Sequence, residues 1–179
     1  MKASNIMTSA VATIAALTIV TQAYAAPDVY SLGVPDVQQE ETNWCWAGSS
    51  ISVLGYNDID AFQDDFVRSV KGSVVNRTAS FSEVKRGLAG EGLSSTFTSD
   101  YLSFSTLKSK LYNGDQPVMA GIKWTSGGGH MVVIDGYDDD STNYIEYMDP
   151  WDGDHYVKSY SSFRSSSSQT WIESLHDFN

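Results

Sequence analysis

The apolar pattern of this chain changes period once, and that change limits the folds open to it. Up to Tyr112 the apolar residues recur at helical spacing. From Pro117 onward they form short runs broken by Gly, Asp, Asn and Ser. Asn43 is placed to cap a helix over residues 44–54, with Ala47, Ile51 and Leu54 on one face and Gly55 at its stop. Residues 59–70 carry Phe62, Phe66 and Val70 at intervals of four. A third helix over 82–89 ends at Gly90, and Ser105 is placed to cap a fourth over 106–112. Strands are expected at 117–124, 130–137, 144–148, 155–160 and 170–175, with residues 27–39 as an extended lead-in and the serine-rich stretch 161–168 as a loop. Helices first and antiparallel strands second predict an α+β domain with one core, not alternating βαβ units.

The first 25 residues stand apart. Lys2 precedes an apolar, small-residue run over 6–20, and Ala23-x-Ala25 offers the small residues of a signal-peptidase site. Thr8, Ser9, Thr13 and Thr18 interrupt the run, which favours cleavage over a retained anchor. The expectation is a signal peptide over 1–25, a single domain over 26–179, and export to a periplasm or the medium. The formal net charge is −11, and losing Lys2 with no acid takes it to −12. Such a surface argues against nucleic acid and anionic membranes as partners. A monomer, off the membrane once cleaved, is expected.

The chain has one cysteine, Cys45. In an oxidising compartment cysteines come mostly in pairs, so a lone one is inert packing, an intermolecular bridge or a chemical group. Its place at an expected helix start favours the third, because the free N–H groups and positive dipole end there suit a thiolate. A thiolate nucleophile needs a histidine partner. Of the three histidines, His155 lies in a polar turn, where solvation is expected, and His176 near the terminus, where fraying is expected. His130 follows Gly127-Gly128-Gly129 and opens an apolar strand, where a substrate backbone can come close to Gly129. Asp149, at the end of the next strand and before Pro150, is the candidate to orient the imidazole. Asp135, Asp138, Asp139, Asp140, Asp152 and Asp154 compete by type, most of them in turns. The run Asp138-Asp139-Asp140 lacks the alternating ligands of a calcium loop, and the histidines are too scattered for zinc. No metal or other cofactor is expected, only a reduced thiol.

Taken together, Gln39-Glu-Glu-Thr-Asn-Trp-Cys45-Trp-Ala47, Gly128-Gly-His130-Met-Val-Val-Ile-Asp-Gly-Tyr137 and Tyr147-Met-Asp149-Pro-Trp151 resemble the papain-like cysteine peptidases. The likeness is to the compact bacterial branch of secreted and effector proteases. It covers the chain beyond residue 25, in the order Cys, His, Asp. The resemblance implies a compact papain-like fold, a helical half bearing Gln39 and Cys45 and a sheet half bearing His130 and Asp149. It implies that Gln39, six residues before the cysteine, supplies an oxyanion donor, that Asp149 orients His130, and that Trp151 shields their hydrogen bond. Trp44 and Trp46 flank the nucleophile as cleft walls or as core. Bacteriocin-processing peptidases share Gln, Cys, His and Asp-Pro, but typically have Asp-Cys-Gly where this chain has Trp44-Cys45-Trp46. The expected activity is peptide-bond hydrolysis on a protein or peptide substrate. A Cys-His-Asp transglutaminase or deamidase and a non-catalytic binding module are the alternatives.

Overall fold

A computed structural model describes residues 26–140 and 142–179; the expected signal segment, 1–25, lies outside the described residues. After a short first strand, three helices follow in succession: α1 (Cys45–Tyr56), α2 (Gln63–Lys71) and α3 (Phe81–Gly90). A short α4 (Phe104–Lys108) runs into one π turn (Ser109–Asn113), and α5 (Tyr160–Arg164) precedes the last strand. The strands are β1 (Val29–Ser31), β2 (Thr96–Thr98), β3 (Val118–Trp124), β4 (Gly129–Asp138), β5 (Tyr144–Met148), β6 (His155–Ser159) and β7 (Gln169–His176). They form one sheet in the order β2-β7-β3-β4-β5-β6, with β1 added to β4, and every pairing is antiparallel. The α+β class and the division into a helical half and a sheet half are as expected.

The expected single core is in fact two. Along β4 the side chains alternate between faces. Met131 and Val133 join Trp44, Trp46, Val53 and Leu54 beneath α1–α3. Val132 and Ile134 join Leu107, Phe163 and Trp171 on the other face. A strand covered on both faces needs apolar residues at every position, which is why residues 131–134 read as an unbroken apolar run.

Other departures are local. The helix expected from residue 59 begins at Gln63, because Phe62 takes an extended conformation at its N-cap and stands 75% exposed. α1 continues through Gly55 to Tyr56. The cap of α4 is Ser103, whose Oγ accepts from the Thr106 N–H at 3.2 Å, and not Ser105. The serine-rich stretch holds α5, whose Tyr160 and Phe163 are buried. β1 and β2 were absent from the expected strands; each is three residues long, too short for an alternation to register. α3 carries a full capping box, with Ser80 and Glu83 bonding each other's backbone N–H. No helix among the described residues is long and apolar enough to cross a membrane.

α1 is fixed against the sheet by a buried bond. The Ser49 hydroxyl donates to the Met131 carbonyl at 3.0 Å, one residue past His130. That bond sets the height of the Cys45 end of α1 relative to the mouth of β4.

Candidate active site

Cys45 is the first residue of α1, half-buried, with a free thiol. Its flanking indoles anchor the helix start: Trp44 Nε1 donates to the Val75 carbonyl at 2.9 Å and Trp46 Nε1 to that of Arg77 at 3.0 Å. Both rings are buried. Trp46 also lines a cavity beside Cys45, whereas Trp44 stands behind the cleft in the core. Asn43 does not cap the helix as expected. Its side chain bonds Asn76, 33 residues away, and Trp44 occupies the cap position without a side-chain bond.

His130 lies at the start of β4, opposite Ile122 of β3. The β4–β5 register ends at Val133 opposite Met148, which puts Asp149 one step beyond, toward His130. His130 Nε2 lies 2.6 Å from Asp149 Oδ1. The same oxygen accepts from the Trp151 N–H at 2.9 Å, while the Asp149 carbonyl takes the Gly153 N–H at 2.8 Å and closes the turn. With Nε2 engaged by Asp149, Nδ1 is the ring nitrogen left for Cys45. Burial alone pushes the imidazolium pKa down, but hydrogen bonding and charge from Asp149 and Cys45 outweigh it and hold His130 at about 9.

Gln39, Cys45, His130, Asp149 and Trp151 share a cavity of about 260 Å³. Gln39 reaches it on a strap of chain laid across α1. Its backbone N–H donates to the Pro150 carbonyl at 2.6 Å, and its side-chain Nε2 to the Glu41 carbonyl at 2.8 Å. Its Oε1 is buried with no hydrogen-bond partner among the described residues. Trp151 stands at the rim, 62% exposed. Gly129 lines this cavity and a neighbouring one, and Gly127 and Gly128 before it hold φ of +99° and +80°, values that favour glycine.

Two contributors escaped the sequence reading. Trp124, at the end of β3, stacks on the His130 ring with centroids 6.1 Å apart and 22° between planes. Nothing in the sequence around it marks that contact, which the β3–β4 hairpin creates. Gly48, one turn after Cys45, is where the strap and the Asp149 turn converge. A Cβ there would sit 3.0 Å from Pro150 Cβ and 3.5 Å from Gln39 Cα. The run of small residues Ala47-Gly48-Ser49-Ser50 was the available signal for a close approach.

The other histidines are not where the sequence suggested. His155 is not solvated: Nε2 lies 3.0 Å from Asp36 and Nδ1 3.0 Å from the buried Asp135. His176 is not frayed but buried in β7, bonded to Thr98 Oγ1 and to Asp177, each at 2.9 Å. Asp135 sits inside β4, within the strand expected over 130–137, and is buried. Among the described residues no cluster of three or more His, Cys, Asp or Glu is arranged to hold a metal.

The profile of the family described as papain-like cysteine protease AvrRpt2 matches residues 29–168 of the chain. The chain belongs to this family. It is a cysteine-type peptidase, and peptides or proteins are its substrates. No curated protein sequence matches the peptidase. Among solved structures, it resembles a double glycine motif protease from an AMS/PCAT transporter, crystallised with its leader peptide. Identity there is 24% over 83% of this chain and 92% of that one, with a TM-score of 0.61, and the likeness is one of fold. Fainter likenesses are to interpain A of Prevotella intermedia, at 18% identity over 56% of this chain and 45% of that one with a TM-score of 0.42, and to the Pseudomonas avirulence protein AvrPphB, at 9% over 77% and 92% with a TM-score of 0.35.

Proposed function

We propose that this peptidase cleaves peptide bonds with Cys45 as nucleophile, His130 as its acid–base partner, Asp149 as the group that orients His130, and Gln39 as an oxyanion donor. The observation that carries the reading is the 2.6 Å pair of His130 Nε2 and Asp149 Oδ1 on the wall of a cavity that Cys45 also lines. Asp149 sets the ring so that Nδ1 serves the sulfur. The thiolate attacks the scissile carbonyl, and its position at the start of α1 suits the negative charge before attack. Negative charge then collects on the carbonyl oxygen, where the Cys45 N–H and the Gln39 carboxamide donate to it. His130 gives its proton to the leaving amine. Water, deprotonated by the same imidazole, releases the acyl group and restores the thiolate.

The protein acts after export, its signal peptide removed at Ala25. Support for this comes from Lys2, the apolar run over 6–20 and the Ala23-x-Ala25 site.

A thiol-directed epoxide tests the chemistry. Wild type should be labelled at Cys45 and should cleave members of a peptide library, and Cys45→Ala should do neither. A wild type that cleaves nothing and resists labelling would sink the proposal. Mass spectrometry of the mature N-terminus tests export, with Ala26 expected as the first residue.

A further inference from the structure

A second cavity, of about 310 Å³, opens on the other side of Cys45 and His130. Its walls are mostly apolar: Trp46, Phe81, Ile122, Met131 and Ile172. Gly121 forms part of the floor. A Cβ there would lie 2.5 Å from Phe81 Cε2, so only glycine lets that ring rest against the sheet. Apart from Cys45 and His130, one ionisable side chain lines the space, Glu173.

Glu173 faces this cavity because of a bulge. β3 and β7 pair Gly121 with Glu173 but Ile122 with Trp171, leaving Ile172 unpaired between them. In a regular strand Trp171 and Glu173 would share a face. The bulge separates them: Trp171 goes into the core on the far side of the sheet, and Glu173 Cβ stands 3.5 Å from the ideal Cβ position of Gly121, beside Phe81. The half-buried carboxylate has no Lys, Arg or His nitrogen within 4.0 Å among the described residues. A carboxylate set in an apolar wall without a cation gains most from a ligand that brings one.

We infer that this cavity receives a substrate side chain with a long apolar stem and a cationic head, lysine or arginine, close to the scissile bond, and that Glu173 sets the preference. The inference rests on Cys45 being the reacting thiol. The stem lies along Phe81, Met131 and Ile172, and the head reaches the Glu173 carboxylate. The chain's net charge of −11 adds a long-range attraction for basic segments.

Two experiments decide it. Blocked tetrapeptides with arginine or norleucine scanned through each position should give wild type a kcat/KM preference for arginine at one position of about 10–100-fold, the range of a hydrogen bond to a charged group. Glu173→Gln should reduce that ratio to near unity, and Glu173→Lys should favour glutamate there. Peptidyl chloromethyl ketones carrying arginine or norleucine should show the same ordering in their rates of Cys45 alkylation, which requires no turnover. A wild type with no cationic preference in either assay, or a preference that both Glu173 variants keep, overturns the inference. If alkylation follows the charge at position 173 while no peptide is cleaved, the specificity stands and the hydrolytic reading falls. If peptides are cleaved without regard to that charge, the reverse holds.

Discussion

Of the three histidines that lie against aspartates, two depend on the turn between β5 and β6. Asp149 enters that turn and holds His130. His155 leaves it, between Asp36 and Asp135. The residue types match, but the environments do not. His130 has one carboxylate on Nε2, an indole on its face and a cavity shared with a thiol. His155 has a carboxylate at each nitrogen, so no ring nitrogen is left to act on anything else. A His–Asp contact is therefore no mark of catalysis. What separates the two is the free edge of the ring and what faces it.

The sharpest way to break the comparison is to remove each ring. His130→Ala should lower kcat/KM by about 10²–10⁴-fold, the scale of lost acid–base catalysis. His155→Gln should leave it within about threefold, with any cost appearing in the melting temperature. Equal losses in the two variants would mean that the second pair reaches the chemistry.

Next in size is the carboxylate of the first pair. His130 titrates at about 9, above the usual histidine value. In the proposed mechanism the leaving amine takes its proton from this imidazolium, which is present below that pH and lost above it, so activity should fall along an alkaline limb near pH 9. Asp149→Asn removes a charge that favours the protonated ring. The limb should move down by about 1–3 units, which a pH profile of kcat/KM reads directly. A limb that stays near 9 would assign it to another group. The same shift affects stability: the contribution of His130 is complete below pH 6.5 and is lost as pH rises through about 9.

The second pair should register in stability alone. Burial raises the Asp135 pKa to about 7, with Glu146 adding to the effect and His155 opposing it. A carboxyl raised in the folded state stabilises most below its unfolded pKa and loses that contribution as pH climbs through the folded value. Stability should thus decline between about pH 4 and pH 7. Asp135→Asn should flatten this slope in denaturant melts taken across the range, with kcat/KM little changed.

The smallest effect tests the indole on His130. Trp124→Leu removes a stacked ring that favours the cationic imidazole by about 0.5–1 kcal/mol, so the alkaline limb should drop by about half a unit. A change in kcat/KM with no movement of the limb would mean that Trp124 only packs.

Much of this was legible in the chain and some was not, for identifiable reasons. Local signals survived well. The apolar run at residues 131–134 located β4, and residues 144–148 gave β5 at its observed ends. The proximity of His130 and Asp149 followed from a short antiparallel connection. Long-range partners did not survive. Asn43 has the composition of a helix cap, yet Asn76 captures it from 33 residues away. His155 sits in a polar sequence, but Asp135 comes to it from the interior of another strand. The ring stacked on His130 is that of Trp124, which reaches it from another hairpin and carries no local signal of that contact. Trp151 supplies its backbone N–H to Asp149. Charge and periodicity describe a residue's neighbours along the chain, and each of these departures came from neighbours across it.

The strap that carries Gln39 has a consequence for how such an enzyme survives its own activity. From Pro35 to Glu40 its backbone is repeatedly engaged. Ser52 Oγ donates to the Pro35 carbonyl, Gln63 Nε2 to that of Gln38, Gln39 N–H to Pro150, and Glu40 N–H to Gln63 Oε1. A protease must draw its substrate out as a free extended strand. This segment runs beside Cys45 with four of its backbone amides and carbonyls already bonded, so the chain nearest the cleft is poorly available to it as bait. Concentrated enzyme left to digest itself should be nicked elsewhere first, with residues 35–40 intact in the surviving fragments.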